Sequence, residues 1–263
     1  VNSAAFRRAA RRLRSELRIL FNRGRGISTT CGGQTFYLTP EAADAVVPNY
    51  EAEKFCAVID AVSEGDTVFD VGGHHGLYTL ALAQKVGPGG TVVCFEPCPF
   101  NLGLLRRNVS LNPCRDWIVI EPLAVGATDG RYPFHFSETD LTSASLNTVP
   151  GAGRTIEVGV TTLDTYWART GRTPRVVKLD VEGHELSALR GMLGLMQTHD
   201  TEIHIEVHTG PEFGCGATPA EIRGIVAPLG YETVRWDGGE LSEHEWSASG
   251  HVIVRRPRTP PNA

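Results

Sequence analysis

"VFDVGGHHGLYTLALA", residues 68–83, sets the fold expected of this chain. It runs from a short β-branched and aromatic stretch into Asp70, then a turn containing Gly72, Gly73 and Gly76, then a segment whose apolar residues recur at helical spacing. Glycines are needed where the backbone turns sharply and lets a ligand come close, and the helix behind them offers unpaired N–H groups. Strand, glycine turn and helix in that order make a nucleotide-type cradle.

Detail narrows the nucleotide. A dinucleotide fingerprint needs glycine at 71, 73 and 76, but residue 71 is valine, and a pyrophosphate gains nothing from Asp70 beside it. No lysine follows Gly76, which excludes a P-loop. An anionic side chain at the turn suits a cationic ligand, and S-adenosylmethionine carries a sulfonium and an ammonium group. Beyond Gly76, "VVCFEP" (92–97) ends in Glu96 and Pro97, where a carboxylate can accept both ribose hydroxyl protons of an adenosine.

Working outward, short β-branched runs alternate with helix-like segments, the pattern of a parallel sheet covered by helices. Strands are expected at 67–72, 91–97, 117–126, 176–180, 202–208, 231–236 and 251–256. Helices are expected at 77–86, 101–111, 185–196 and 219–230. The last two strands are joined by a stretch too short and polar for a crossover helix, so they should pair antiparallel. The expectation is an α/β, Rossmann-like, seven-stranded and mostly parallel sheet with helices on both faces and an antiparallel last strand. Residues 127–165 read as a Ser/Thr-rich insertion flanked by two short strands, of the kind that forms lids. The domain is placed at 50–256, after a basic N-terminal helix and lead-in at 1–49 and before a disordered tail at 257–263.

Composition bounds the class. The chain has 263 residues, 41% apolar and 21% charged, and no apolar run near the ~18 residues of a membrane span. Its six cysteines form no CxxC pair, so they read as free thiols in a reducing, cytoplasmic setting. Residues 1–26 hold eight arginines against Glu16, a net of +7, which leaves −12 on the rest. Phe6, Ala10, Leu13, Leu17, Leu20 and Phe21 recur there at helical spacing, as in an amphipathic helix packed over the acidic body or another surface. This head lacks the apolar core of a secretory signal; its Arg-rich, acid-poor character resembles a mitochondrial presequence.

The second deciding stretch is "VVKLDVEGHEL", residues 176–186. Ligands of open α/β sheets sit beyond the carboxyl ends of the strands, which brings Asp180 to the edge beside the glycine loop. Acidic residues also favour a helix's first turn, so Glu185 and His184 have a capping reading, whereas Asp180 and Glu182 precede the helix. In "EIHIEVH" (202–208) alternation puts Glu202, His204, Glu206 and His208 on one face, costly in a two-sided sheet unless they are paired or line a cavity. Glu206 and His208, nearest the carboxyl end, belong in the site; Glu202 and His204 read as a structural pair or as partly solvated groups.

"FDVGGHHGLYTL", "CFEPCPFNLGLLRRNVSLN", "LAVGATDG", "VTTLDTYW" and "VVKLDVEGHELSALRGM" together resemble the FkbM-type family of class I S-adenosylmethionine-dependent methyltransferases, over about residues 50–255. The resemblance implies O-methylation of a hydroxyl on a sugar, polyketide or similar metabolite. One departure stands out: where the family loop reads D-x-G-A-N-x-G, this chain has Gly73, His74 and His75. An imidazole at 74 either replaces the Asn contact to the methionine part of the cofactor or crowds it. A metal on the two histidines is disfavoured because adjacent side chains in a turn diverge.

The cofactor contacts expected are Asp70, Gly72, Gly73, His74, Gly76, Glu96, Pro97 and Asp180. Methyl transfer needs the oxygen held about 3–3.5 Å from the methyl and a group to take its proton. Asp180 and His208 are candidates for the base, with Glu182 and Glu206 orienting. A divalent metal on Asp180, Glu182 and His208 is the less favoured alternative. The partner expected is a small hydroxylated acceptor, under a cover formed by Ser143, Ser145 and the basic helix. Nucleic acid is not expected: an acidic body repels phosphates, and the strand end reads Asp-Val-Glu-Gly rather than Asn/Asp-Pro-Pro-aromatic. A homo-oligomer stays open. The competing readings are a nicotinamide-dependent oxidoreductase, opposed by Val71, and a non-catalytic binding protein, suggested by His74 and His75.

Overall fold

The computed structural model describes residues 26–46, 52–136, 145–147, 153–208, 217–239, 241 and 250–258. The basic helix read at the N-terminus, Ser143 and tail residues 259–263 lie outside them.

Among the described residues, twenty strands and α-helices follow in chain order. A hairpin of β1 (Ile27–Cys31) and β2 (Gln34–Leu38) precedes α1 (Pro40–Ala45) and α2 (Ala52–Asp60). Then come β3 (Thr67–Val71), α3 (Leu77–Val86), β4 (Thr91–Phe95), α4 (Pro99–Ser110), β5 (Ile118–Glu121) and β6 (Ala124–Val125). The inserted strands are β7 (Gly130–Phe136) and β8 (Arg154–Thr161). After them run α5 (Leu163–Thr170), β9 (Val176–Leu179), α6 (Glu185–Arg190), α7 (Leu193–Thr198), β10 (Glu202–Glu206), α8 (Pro219–Val226), β11 (Glu232–Arg235) and β12 (His251–Arg255).

Seven strands form one sheet in the order β11-β12-β10-β9-β3-β4-β5. The neighbours from β10 to β5 are parallel, and β12 is antiparallel to both β10 and β11, as expected from the sequence. From β3 the chain winds out through β4 and β5, then crosses back to β9 on the other side of β3. The carboxyl ends of β3 and β9 therefore flank the switch point, where such sheets open a crevice.

Alternation along the strands divides the core in two. Phe69, Val71, Val93, Phe95, Val177, Leu179, Ile203 and Ile205 face a core shared with α5 to α8. Val68, Val92, Cys94 and Val176 face the other, shared with β2 and α1 to α4. Asp70 and Lys178 follow the parity of Val68 and Val176, so two charged side chains are buried among the second group.

Four local expectations are corrected. The stretch 117–126 is two strands, because the chain turns at Pro122 and β6 leaves the main sheet to pair with β8. With β7 it makes a three-stranded sheet ordered β6-β8-β7 out of most of the insertion, while residues 163–165 already belong to α5. That helix begins on the Thr162 hydroxyl, which accepts from Thr165 N at 2.9 Å, and ends at Gly171 with φ 69°. The helix expected at 185–196 breaks at Gly191, where a Cβ would run into the Gly126 carbonyl. Residues 27–45, read as lead-in, are a hairpin and helix whose Phe36, Leu38 and Ala42 are buried in the second core. Among the described residues no helix is long and apolar enough to cross a membrane.

Candidate active site

The glycine turn is built by close approach. Gly72 and Gly76 have φ of 83° and 94°, in the left-handed region that favours glycine. A Cβ on Gly72 would fall on the Asp180 carbonyl, and one on Gly73 on Cys94 Sγ. The N–H groups of Gly72 and Gly73 both donate to the Phe95 carbonyl, at 3.0 and 3.1 Å, tying the turn to the end of β4. Non-glycine His74 also sits at φ 50°, and its N–H donates to Glu96 Oε2 at 2.8 Å.

Glu96 is buried and accepts from Cys98 N at 2.8 Å and more distantly from Asn101 Nδ2 at 3.4 Å, both on Oε1. Burial pushes its carboxyl up to about 7, with the backbone N–H groups of Cys98 and His74 working the other way. One cavity joins Gly72, His74, Glu96, Pro97 and Asn101 to Asp180, Glu182 and Glu206 across the sheet edge. Phe134 and Leu146, from the inserted sheet and the described piece at 145–147, supply apolar wall.

Asp70 does not line the cavity. It is fully buried beneath the turn, accepting from Thr79 Oγ1 at 2.5 Å and facing Lys178 Nζ at 3.7 Å. Burial raises its carboxyl above the usual range against the pull of Lys178. Gly73 and Gly76 also stay off the lining: Gly73 packs on Cys94, and Gly76 caps α3 against Leu105. Nor do the paired histidines diverge. The Nδ1 atoms of His74 and His75 lie 2.7 Å apart, and burial first, then His74, lowers His75 to about 3.

Lys178 is the residue that sequence reasoning passed over. Its Nζ lies 3.0 Å from both Asp180 Oδ2 and the Gly72 carbonyl. Burial disfavours its charge, but Asp180, Asp70 and Tyr78 more than restore it, and its value is raised. The signal was present: a lysine in the apolar run of a strand buried on both faces needs a carboxylate partner. Asp180 gains correspondingly; Lys178 and His208 hold its carboxyl below the usual range despite burial.

The Asp-Val-Glu-Gly turn carries consecutive left-handed residues, Glu182 at φ 51° and Gly183 at φ 92°. A left-handed glutamate is strained and needs support from its surroundings. Ser145 Oγ donates to the Glu182 carbonyl at 2.8 Å and Asn147 Nδ2 to the Gly183 carbonyl at 2.8 Å. Glu185 Oε1 accepts from Gly183 N at 2.9 Å and contacts His208 Nδ1 at 3.0 Å. Its side chain thus organises the turn before α6 and also orients an imidazole.

His208 Nε2 lies 3.5 Å from Glu182 Oε2 and 3.9 Å from Asp180 Oδ1, so it reaches the cavity through those two residues rather than lining it. Burial opposes its charged form, but Glu185, Asp180 and Glu182 outweigh that and raise it to about 9. Glu182 is pushed up to about 8 by burial and by the carboxylates of Asp180, Glu206 and Glu185. Ligand atoms of Asp180, Glu182 and His208 fall within 4.8 Å of one another, a set that could hold a divalent cation. His204 and Glu202 form the structural pair expected of them, at 3.0 Å.

Residues 70–233 match the family model described as the methyltransferase FkbM domain. A curated relative, the hexuronic acid methyltransferase AglP of Haloferax volcanii, is 26% identical over 153 residues, covering 58% of this chain and 60% of its own length. The chain thus spans less than two thirds of that relative. Among solved structures, methyltransferase FkbM from Methylobacillus flagellatus is 17% identical with a TM-score of 0.48, covering 74% of this chain and 44% of its own. A SAM-dependent O-methyltransferase from Thermotoga maritima is 13% identical with a TM-score of 0.47, covering 94% and 83%. With the family model matched from the glycine turn through β11, the chain belongs to the FkbM methyltransferase domain family.

Proposed function

We propose that this chain is an S-adenosylmethionine-dependent O-methyltransferase acting on a hydroxyl of a sugar, polyketide or similar small metabolite. The observation that carries the reading is one cavity with two differently equipped ends. At one end lie the tight glycine turn, Glu96, Pro97 and Asn101; at the other, Asp180, Glu182 and Glu206. The residues present fit the donor, because left-handed Gly72 lines the cavity with bare backbone and the buried Glu96 carboxylate keeps acceptor capacity for ribose hydroxyls. When bound, S-adenosylmethionine supplies an electrophilic methyl group on a positively charged sulfur.

The chain's own residues then have three tasks. Asp180, locked by Lys178, keeps a fixed negative charge at the junction of the two ends. Glu182 and Glu206 hold the acceptor hydroxyl by hydrogen bonds. Glu182, raised to about 8 and 3.5 Å from His208, takes the hydroxyl proton. His208 supports that carboxylate, which refines its role from base to partner of the base. Lys178 and His208 already place positive charge against Asp180 and Glu182, the role a divalent cation would fill, so turnover is expected to persist in EDTA. The family relative named for a hexuronic acid supports a sugar-like acceptor.

The test is a methyl-transfer screen with labelled donor against hydroxylated sugars and polyketides, with and without EDTA. Transfer to an oxygen supports the reading; transfer to nitrogen or carbon alone, or none despite donor binding, opposes it.

A further inference from the structure

Two carboxylates and an imidazole converge beyond the ends of β9 and β10. His208 Nε2 lies 3.5 Å from Glu182 Oε2 and 3.9 Å from Asp180 Oδ1. Among the described residues, these three make the one group of His, Cys, Asp or Glu side chains whose ligand atoms all fall within 4.8 Å of one another. Two ligand atoms each about 2.0–2.2 Å from a tetrahedral ion stand about 3.3–3.6 Å apart. The Glu182–His208 spacing already has that length, and a small rotation of the Asp180 carboxylate brings the second contact to it. Asp180 and Glu182 also line the cavity, which gives an ion its entry path.

The groups behind the three side chains turn proximity into a site. A metal-binding imidazole needs its second nitrogen held by an acceptor, so that the first is presented to the ion. Glu185 does this from a fully buried position, its Oε1 lying 3.0 Å from His208 Nδ1. Its other oxygen, Oε2, is buried with no hydrogen bond among the described residues, so positive charge on the far side of the imidazole stabilises it. Lys178 takes Asp180 Oδ2 at 3.0 Å and leaves Oδ1 on the His208 side. Ser145 Oγ holds the Glu182 carbonyl at 2.8 Å. Each of the three ligands is thus steered from behind by a different residue.

We infer that Asp180, Glu182 and His208 bind a transition-metal ion of the zinc class, and that its binding stops methyl transfer. One imidazole nitrogen and two carboxylate oxygens suit zinc or cobalt(II), whereas magnesium prefers a near-octahedral oxygen set and keeps its waters. The inhibitory half rests on the methyltransferase reading above, in which Glu182 takes the hydroxyl proton. A carboxylate coordinated to an ion no longer offers that lone pair. The ion enters at His208 Nε2 in place of a proton, which leaves to solvent. Turnover in EDTA and arrest by zinc are therefore two states of one cluster.

Cobalt(II) absorption and calorimetric titration with zinc, both on the donor-free protein, read the site without turnover. The expected spectrum has the visible bands of a nitrogen and oxygen ligand set and lacks the near-ultraviolet thiolate band that binding to any of the six cysteines would give. His208→Gln and Glu182→Gln should each weaken zinc by at least about 10- to 100-fold, the loss that even an orienting partner causes. Glu182, whose side chain is partly exposed, is the position less at risk of misfolding. No saturable binding, a thiolate spectrum, or binding that survives both substitutions overturns the site. In the methyl-transfer assay stoichiometric zinc should cut the rate about 100-fold, the contribution of a lost proton acceptor. EDTA should restore it, and excess magnesium should leave it unchanged. A rate that zinc leaves alone or raises overturns the inhibitory role. Methyl transfer absent under every condition counts against the methyltransferase reading, while the cobalt and zinc titrations still support or overturn the site.

Discussion

Lys178 Nζ and Asp180 Oδ2 meet at 3.0 Å although both belong to one strand end, because residues two apart on a strand share a face. Asp70 lies on the same lysine at 3.7 Å but with the opposite outcome: burial wins and its carboxyl is raised, whereas Asp180 is lowered. The shorter contact decides between them. Lys178 is chiefly the partner of Asp180, and Asp70 is held by Thr79 beneath the turn.

Lys178→Met should therefore cost more than an ordinary core substitution. It strands two carboxylates beneath the glycine turn, and breaking a buried pair by removing one partner costs about 3–5 kcal/mol. Urea unfolding should show the loss, and the double variant Asp70→Asn with Lys178→Met should recover part of it. Equal stability of the single variant and the unmodified protein would contradict the assignment.

Glu96 makes donor affinity depend on pH. Its folded-state value is raised, to about 7, so the free protein holds this proton more tightly than the unfolded chain does. That contribution to stability is full below the unfolded value near 4.5 and is lost as pH rises through about 7. Ribose hydroxyls bind the ionised form, so affinity for S-adenosylhomocysteine should climb through about pH 7. In Glu96→Gln the climb should vanish and affinity fall roughly 10- to 100-fold, the loss of about 1.5–3 kcal/mol in charge-assisted hydrogen bonding. Calorimetric titration from pH 5.5 to 8.5 measures both.

Glu182 sets the expected rate profile. As the group that receives the proton it must be ionised, so kcat/KM should rise with pH through about 8. Glu206 is one of the carboxylates that raise Glu182, so Glu206→Gln should move that limb to lower pH. A limb that stays in place, or moves up, rules out Glu182 as proton acceptor.

Ser145 is a positioning residue rather than a catalytic one. Its hydroxyl donates to the carbonyl of left-handed Glu182 and accepts from Asn147 N at 3.1 Å. Ser145→Ala should lower kcat about tenfold or more with donor affinity unchanged, and Ser145→Thr should restore most of it. Parallel loss of donor affinity would mark the contact as merely structural.

The succession of strands and the mostly parallel sheet were legible because β-branched runs, glycine turns and helical spacing all agreed on them. The hairpin at residues 27–38 was not: short alternating strands around Gly32 and Gly33 carry little periodicity, and Phe36 and Leu38 find their core only in three dimensions. Asp180 and Glu206 were readable as cavity residues from strand ends, Glu96 from its place after the glycine loop, and Glu182 from its place before the helix; all four line the cavity. Asp70 was misplaced in depth, since a motif gives position along the chain and not which side of the turn a side chain takes. Glu185 looked like a helix-start acid because one partner, Gly183, is local, whereas the other, His208, is close only after β10 lies beside β9. Asn147 gave no local signal; its role comes from meeting a turn distant in sequence.

Calorimetric titration of the purified chain with S-adenosylhomocysteine, and separately with NAD, is the most direct test of a sulfonium-donor site in the Gly72–Glu96 cradle. Saturable one-site binding of S-adenosylhomocysteine with no heat from NAD is the predicted result. Binding of NAD with none of S-adenosylhomocysteine would contradict it.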